Sequence, residues 1–96
     1  MKILVFNDYC VTGNIAMKAN ISVLSQNGHE VFGVPTKIFS SNMSYKDYIS
    51  FCMPNFSEIV KKIFEIQKID AIYIGFIDDE EIFEIINLGE KKCQKN

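Results

Sequence analysis

The sequence has 96 residues, ten of them basic and twelve acidic, which gives a formal net charge of −2 and a pI of about 5.3. A chain of this length forms one domain at most, and its 48% hydrophobic content excludes a mainly disordered protein. Its apolar runs are far shorter than the ~20 residues of a membrane-spanning helix, and no signal peptide is recognisable, so we expect no membrane partner and a cytoplasmic location.

The basic residues and the cysteines bear on which partners and metals the chain can bind. All ten basic residues are lysine, so the sequence has no guanidinium group for bidentate contacts with phosphate or guanine. Together with the acidic balance, this argues against a nucleic-acid partner. Cys10, Cys52 and Cys93 are odd in number and form no C-x-x-C pair, which argues against a zinc site or a disulfide framework. We therefore predict free thiols and no metal site.

The first 35 residues have the pattern of a β-α-β unit. Lys2–Phe6 is a continuous apolar run stopped by Asn7–Asp8, which is typical of a strand buried on both faces. Apolar residues at helical spacing follow, and Asn27–Gly28 predicts the end of that helix. Glu30–Pro35 predicts a second strand, with Pro35 at the edge of the hydrogen-bonded ladder or beyond it.

Residues 36–54 form a segment without clear periodicity, in which serines and asparagine alternate with Tyr45, Tyr48 and Phe51. Loops longer than about 12–15 residues in a compact domain are commonly functional lids or connectors. We therefore predict a long loop here that contacts a ligand.

A second helix, a third strand and a third helix are predicted after the loop. Residues 55–68 place Ile59, Ile63 and Ile66 on one helical face, which is flanked by Phe56, Val60 and Phe64. Asp70–Ile77 reads as a buried strand, and acidic residues 78–81 lead into a helix that ends at Gly89. The order β-α-β-loop-α-β-α predicts an α/β fold with a parallel or mostly parallel sheet, incomplete because three strands leave exposed edges.

Ligands of open parallel sheets bind beyond the carboxyl ends of the strands, which here are Asn7–Gly13, Pro35–Asn42 and Gly75–Asp79. All three segments are polar or contain glycine, which favours one shared site. No dinucleotide fingerprint or P-loop is present. Asp8 could be a general base, a metal ligand or a turn former, and the acidic run 78–81 could bind Mg²⁺ or complement a helix dipole; the turn and dipole roles are the commoner ones.

Several segments together carry a family resemblance. In chain order they are Ile3–Asp8 followed by Gly13, the helix end Val23–Gly28, the run Val34–Ser40 (VPTKIFS) and Ile74–Ile77 (IGFI). Over about the first 88 residues they resemble the amino-terminal portion of the pyridoxal (vitamin B6) kinases of the ribokinase-like superfamily. The P-T-x-x-x-S element and the later G-[FY] pair belong to the pyridoxal and pyridoxamine kinase branch.

The resemblance implies a three-layer, Rossmann-like (ribokinase-like) α/β domain whose amino-terminal part is residues 1–89, with a polar tail at residues 90–96. It implies transfer of the γ-phosphoryl group of ATP to the 5′-hydroxymethyl group of pyridoxal, pyridoxine or pyridoxamine, with Mg²⁺ and often a monovalent cation. Asp8, Thr36 and Phe76 match residues around the vitamin in such kinases. The lid and dimer-contact region corresponds to Ser40, Ser41, Asn42 and Tyr45. These are substrate-side roles, and no catalytic residue is implied.

The chain departs from this family at the lid and after the last strand. The usual Ser-Asn-His-Thr lid is here Ser40–Met43 (SSNM), and the usual Gly-[FY]-[LI]-Gly-Ser is Gly75–Asp79 (GFIDD). The family's catalytic Asp, glycine-rich anion hole and adenine-binding loops lie beyond the equivalent of residue 90. We therefore expect no ATP or Mg²⁺ site in this chain.

Two functions from different classes remain open. In the first, the chain is the truncated substrate-side half of a pyridoxal-kinase-like protein, inactive alone, which forms a homodimer or needs a complementing chain. In the second, it is a small non-enzymatic α/β association module that uses its open sheet edge and lid loop. A flavodoxin-like or receiver-like domain is a third reading, which would require five strands and an acidic phosphoacceptor on a middle strand.

Overall fold

Four strands and two helices make up the described part of the chain. The structure is a computed structural model that describes residues 1–41 and 47–77 together with Glu84 and Asn87. In chain order the elements are β1 (Lys2–Cys10), α1 (Met17–Gln26), β2 (Glu30–Phe39), β3 (Ser50–Cys52), α2 (Phe56–Ile66) and β4 (Ala71–Ile74). Apart from Glu84 and Asn87, which are helical, the predicted third helix and the tail at 90–96 lie outside the described residues.

The strands form one sheet in the order β3-β2-β1-β4. β1 pairs in parallel with β2 on one side and with β4 on the other, whereas the short β3 runs antiparallel to β2. Lys2 lies beside Glu30, and Ile3 lies beside Ala71. The predicted α/β fold with a mostly parallel, open sheet is confirmed, and β4 forms one edge of the described sheet.

The two helices cover opposite faces of the sheet, because the side chains of β1 alternate between the faces. On one face Leu4 and Phe6 pack against α2, and on the other Ile3 and Val5 pack against Met17 of α1. The three-layer arrangement is therefore present. Neither α1 nor α2 has the length and hydrophobicity that a membrane-spanning helix needs.

The apolar face of α2 differs from the one predicted. Phe56, Val60 and Phe64 are buried against the sheet, whereas Ile66 is exposed. The predicted stripe and the buried stripe lie side by side on the helix, and Ile59 and Ile63 are only partly buried at its margin. The prediction that Ile66 shares the core-facing side is wrong, since the larger phenylalanine rings occupy the centre of the contact.

The predicted loop 36–54 is partly strand. β2 continues to Phe39, and β3 returns along it, so that Lys37 pairs with Cys52. Pro35 lies inside β2, opposite Asn7, where the register between β1 and β2 shifts. A proline is tolerated at such an irregularity because the ladder does not need its missing N–H group. The prediction that Pro35 would lie at the end of the strand is therefore corrected.

The last described strand is shorter and more exposed than predicted. β4 covers Ala71–Ile74 rather than Asp70–Ile77. Tyr73 and Ile74 are 48% and 41% exposed, so the strand is not buried on both faces. The cause is its edge position in the described sheet, where only β1 pairs with it.

Candidate functional site

The carboxyl ends of β1, β2 and β4 meet at one edge of the sheet. Asn7 of β1 lies beside Pro35 of β2, and the chain leaving β4 stays close to β1 because the backbone N–H of Gly75 donates to the carbonyl oxygen of Phe6 at 2.6 Å. The three segments predicted to share a site are therefore brought together as far as the structure describes them.

The side chain of Asn7 connects three parts of this edge. Its Oδ1 accepts hydrogen bonds from the backbone N–H groups of Phe76 and Asp8, at 3.0 and 2.9 Å. Its Nδ2 donates to Oδ1 of Asn20 in α1 at 2.7 Å. One amide thus links β1, α1 and residues 75–76, which follow β4 and which we call the Phe76 turn. Asn7 was predicted to lie in one of the three strand-end segments, but its side chain was given no role; a short polar side chain at a parallel strand's carboxyl end was the available signal.

Thr36 holds the same turn from the other side. Thr36 is only 1% exposed, and its hydroxyl donates a hydrogen bond to the carbonyl oxygen of Phe76 at 2.6 Å. Both polar groups of the Phe76 backbone are therefore fixed by side chains, the N–H by Asn7 and the carbonyl by Thr36. Because the hydroxyl proton of Thr36 is used in this bond, the structure gives Thr36 a supporting contact to Phe76.

An aromatic cluster borders the site. The ring of Phe76 meets that of Phe39 edge to face, with centroids 6.3 Å apart and an interplanar angle of 72°. Phe39 also contacts Tyr48, with the two ring centroids 5.9 Å apart. Phe39 is buried, whereas Phe76 is 38% exposed, so part of the Phe76 side chain is open to solvent. An exposed ring of this kind offers a surface on which a planar ligand can stack.

Asp8 lies next to Asn7 but on the other side of β1, since successive side chains of a strand alternate. It is half-buried, and its backbone N–H is the one that donates to Asn7. Its carboxylate has no hydrogen-bond partner within residues 1–41 and 47–77. The structure thus places the three predicted residues Asp8, Thr36 and Phe76 around Asn7, and their contacts with a ligand stay predictions.

The predicted lid is described only at its base. The backbone N–H of Ser40 donates to the carbonyl oxygen of Ile49 at 2.8 Å, and the hydroxyl of Ser40 accepts from the N–H of Ile49 at 2.7 Å. Ser40 therefore ties together the two ends of the segment between β2 and β3. Ser41 is half-buried, and Asn42 and Tyr45 lie outside the described residues.

We expect Thr36→Val to lower the free energy of unfolding by about 1–2 kcal/mol, because valine keeps the shape of threonine but leaves the Phe76 carbonyl without its donor. Thr36→Ser, which retains the hydroxyl, should cost less. Urea denaturation followed by circular dichroism measures both changes. Equal stability of Thr36→Val and the unchanged chain would show that the Thr36 bond adds nothing to the turn.

Among the described residues, the ligand set for Mg²⁺ is not found at this edge, and the acidic residues 78–81 that could bind Mg²⁺ lie outside them. Among the described residues, no three or more His, Cys, Asp or Glu side chains are grouped so that they could hold a metal ion. ATP-dependent phosphoryl transfer relies on a metal ion to neutralise phosphate charge. These residues therefore do not by themselves fit Mg²⁺ with ATP.

The open, mostly parallel sheet between two helix layers, with polar and aromatic residues at the strand ends, defines a Rossmann-like α/β protein. A scan against protein-family models finds no match, and neither does a search of the curated proteins. Solved structures do match, and they narrow this class.

Pyridoxal kinase from Trypanosoma brucei matches with a TM-score of 0.83 and 19% identity, over 98% of this chain and 36% of that one. Pyridoxal kinase from Leishmania donovani, in complex with ADP and pyridoxamine, matches with a TM-score of 0.78 and 16% identity, over 98% of this chain and 36% of that one. A protein from Bacteroides thetaiotaomicron, described as a phosphomethylpyrimidine kinase and crystallised with pyridoxal, matches with a TM-score of 0.82 and 21% identity. The match covers 95% of this chain and 33% of that one.

These matches show the fold of a fragment of a pyridoxal kinase, as the family resemblance implied. The chain spans about a third of the length of the solved structures that it matches.

Proposed function

We propose that the described residues form the vitamer-binding part of a pyridoxal-kinase-like protein. Phosphoryl transfer then requires the part of the fold that the described residues do not contain. The observation that carries the proposal is the Phe76 turn. Its backbone is held at both polar groups and its ring is partly open, at the strand ends of a fold shared with pyridoxal kinases.

The chemistry of the edge suits a B6 vitamer. Pyridoxal, pyridoxine and pyridoxamine are planar pyridines, and the open part of the Phe76 ring can stack on such a ring. An ionised carboxylate accepts hydrogen bonds, so that of Asp8 can accept one from a ring substituent or from a protonated ring nitrogen. We place the vitamer between these two side chains.

The requirement for the rest of the fold follows from what the kinase reaction needs. Phosphoryl transfer depends on positioned phosphates, a metal ion and a base for the attacking hydroxyl. The described residues lack the metal-binding group, and about two thirds of each matched structure has no counterpart in this chain. We propose that a complementing part of the fold supplies these groups and with them the sites for ATP and Mg²⁺.

Titration of the purified chain with pyridoxal, followed by calorimetry or by the ligand's absorbance, tests the proposal. We expect saturable binding of pyridoxal and no turnover with Mg·ATP. Phe76→Ala should weaken binding about tenfold, since stacking on an aromatic ring contributes on the order of 1 kcal/mol.

Ile66→Ala is the control for this titration. Ile66 is 72% exposed at the carboxyl end of α2, outside the three strand-end segments, so its truncation should leave pyridoxal binding unchanged. An unchanged chain that binds no pyridoxal, or a Phe76→Ala variant that binds as well as the unchanged chain, would overturn the vitamer site.

A second function, self-association without catalysis, is favoured by the outer edge of β4, which pairs with no other strand among the described residues. Tyr73 and Ile74 are exposed there, and this four-residue strand carries no charge or proline, the usual protection of edge strands. Under this proposal a second copy of the chain pairs with β4. Sedimentation should then show a dimer that Ile74→Lys converts to monomer, whereas a monomeric unchanged chain would remove this alternative.

A further inference from the structure

We infer that Asn7 is a positioning residue, which sets the affinity of the site for an aromatic ligand by holding the Phe76 turn. The inference rests on the proposed function, because it concerns the same site. It adds the side chain of Asn7, which lies 69 positions from Phe76 in the sequence, to the predicted site residues.

The small amide of Asn7 makes three hydrogen bonds. Its Oδ1 accepts two of them, from the backbone N–H groups of Asp8 and Phe76, so its Nδ2 must face the other way. There it donates to Asn20 at 2.7 Å. Every polar atom of the amide thus has a partner, and the orientation of the group follows from those partners.

Gly75 leaves the space in which the Asn7 amide packs. A Cβ atom at position 75 would come within 2.4 Å of Cγ of Asn7, 2.5 Å of Nδ2 and 2.6 Å of Oδ1. The amide therefore packs directly on the Gly75 backbone, and only glycine lets it reach the N–H of the next residue. Asn7 and Gly75 form a matched pair, and both act on the position of Phe76.

The bond from Asn7 bears on a side chain that is partly open to solvent. Phe76 is separated from β4 by Gly75 alone, and among the described residues its ring meets that of Phe39 edge to face. Removing the Asn7 bond frees the N–H end of the turn while Thr36 still holds the carbonyl. The ring then samples more positions, and a stacked ligand has to pay for ordering it.

The test uses Asn7→Ala, with Asn7→Asp as the conservative variant. Aspartate keeps an oxygen acceptor for the Phe76 N–H, so its effect should be smaller. Circular dichroism verifies that each variant is folded, and Asn7→Asp keeps the test valid if Asn7→Ala does not fold.

The first measurement needs no ligand: amide hydrogen exchange of Phe76 by NMR. We expect exchange to accelerate about tenfold in Asn7→Ala, in keeping with the loss of one hydrogen bond, and to change less in Asn7→Asp. Exchange at Phe76 that is the same in Asn7→Ala and the unchanged chain would overturn the inference.

The second measurement is pyridoxal affinity. We expect Asn7→Ala to weaken binding about tenfold, and the double variant with Phe76→Ala to bind no more weakly than Phe76→Ala alone, because Asn7 acts through Phe76. If the unchanged chain binds pyridoxal and Asn7→Ala binds it equally well, the inference fails and the proposed function stands. If the unchanged chain binds no pyridoxal, the proposed function fails, and the inference fails with it.

Discussion

Replacing Phe6 by alanine will remove most of the free energy of unfolding of this chain. Phe6 is fully buried in the central strand and meets Phe56 of α2 edge to face, with centroids 5.6 Å apart. A buried Phe→Ala change costs about 3–5 kcal/mol through lost burial and the cavity that remains. Small domains have only about 5–15 kcal/mol of stability in total. Urea denaturation followed by circular dichroism measures the loss.

Phe51→Ala serves as the control for this prediction, because Phe51 is 54% exposed. The same deletion at a half-exposed position on the short β3 should change the stability by no more than about 0.5 kcal/mol. A Phe6→Ala variant that loses under about 1 kcal/mol would mean that α2 does not pack on β1 as described.

Gly75→Ala will destabilise the chain by about 2–4 kcal/mol and disrupt the Phe76 turn. The new methyl group would lie 2.4 Å from Cγ of Asn7, closer than real side chains approach one another. Asn7 must leave its place, and its bonds to Phe76, Asp8 and Asn20 are lost together. Urea denaturation measures the stability change, and the NMR signal of the Phe76 amide reports the turn.

Two variants give this prediction its controls. At Gly33 a Cβ atom would come within 2.8 Å of Sδ of the buried Met17, so Gly33→Ala should also cost about 1–3 kcal/mol but leave the NMR signal of the Phe76 amide unchanged. Asn7→Ala removes the atoms that clash, so it should reduce the additional cost of Gly75→Ala. Additive losses in the Gly75→Ala, Asn7→Ala double variant would contradict the clash.

The central part of the fold could be predicted because its signals are local. The apolar run Lys2–Phe6 and the helix stop at Asn27–Gly28 are visible in short stretches of sequence, and each is found in the structure. Alternation along β1 then requires a helix on each face. These features together predict a parallel α/β sheet before any pairing is known.

Other features depend on contacts that short stretches of sequence do not contain. β3 has three residues, too few for a period-2 pattern, and it exists because it pairs with β2. On α2, isoleucines and phenylalanines form adjacent stripes of similar hydrophobicity. Only the shape of the sheet surface decides that Phe64 is buried and Ile66 is not.

The candidate site shows the same division. Thr36 and Phe76 were predicted through the family resemblance, and the structure places them in contact. The part played by Asn7 was missed, because it depends on a turn that follows β4, far along the chain. Hydrogen bonds between distant residues have no periodic signature, so only the folded arrangement reveals them.

The central position of β1 also has a consequence for how this protein folds. The partners of β1 begin at Glu30 and at Ala71, so its second edge stays open until nearly the whole of the described chain has been synthesised. Pairing between such distant segments must overcome a large loop-closure entropy, and it slows folding to milliseconds or seconds. During translation the most deeply buried strand therefore emerges before both of its neighbours and finds the last one late, an interval in which a chaperone can bind it.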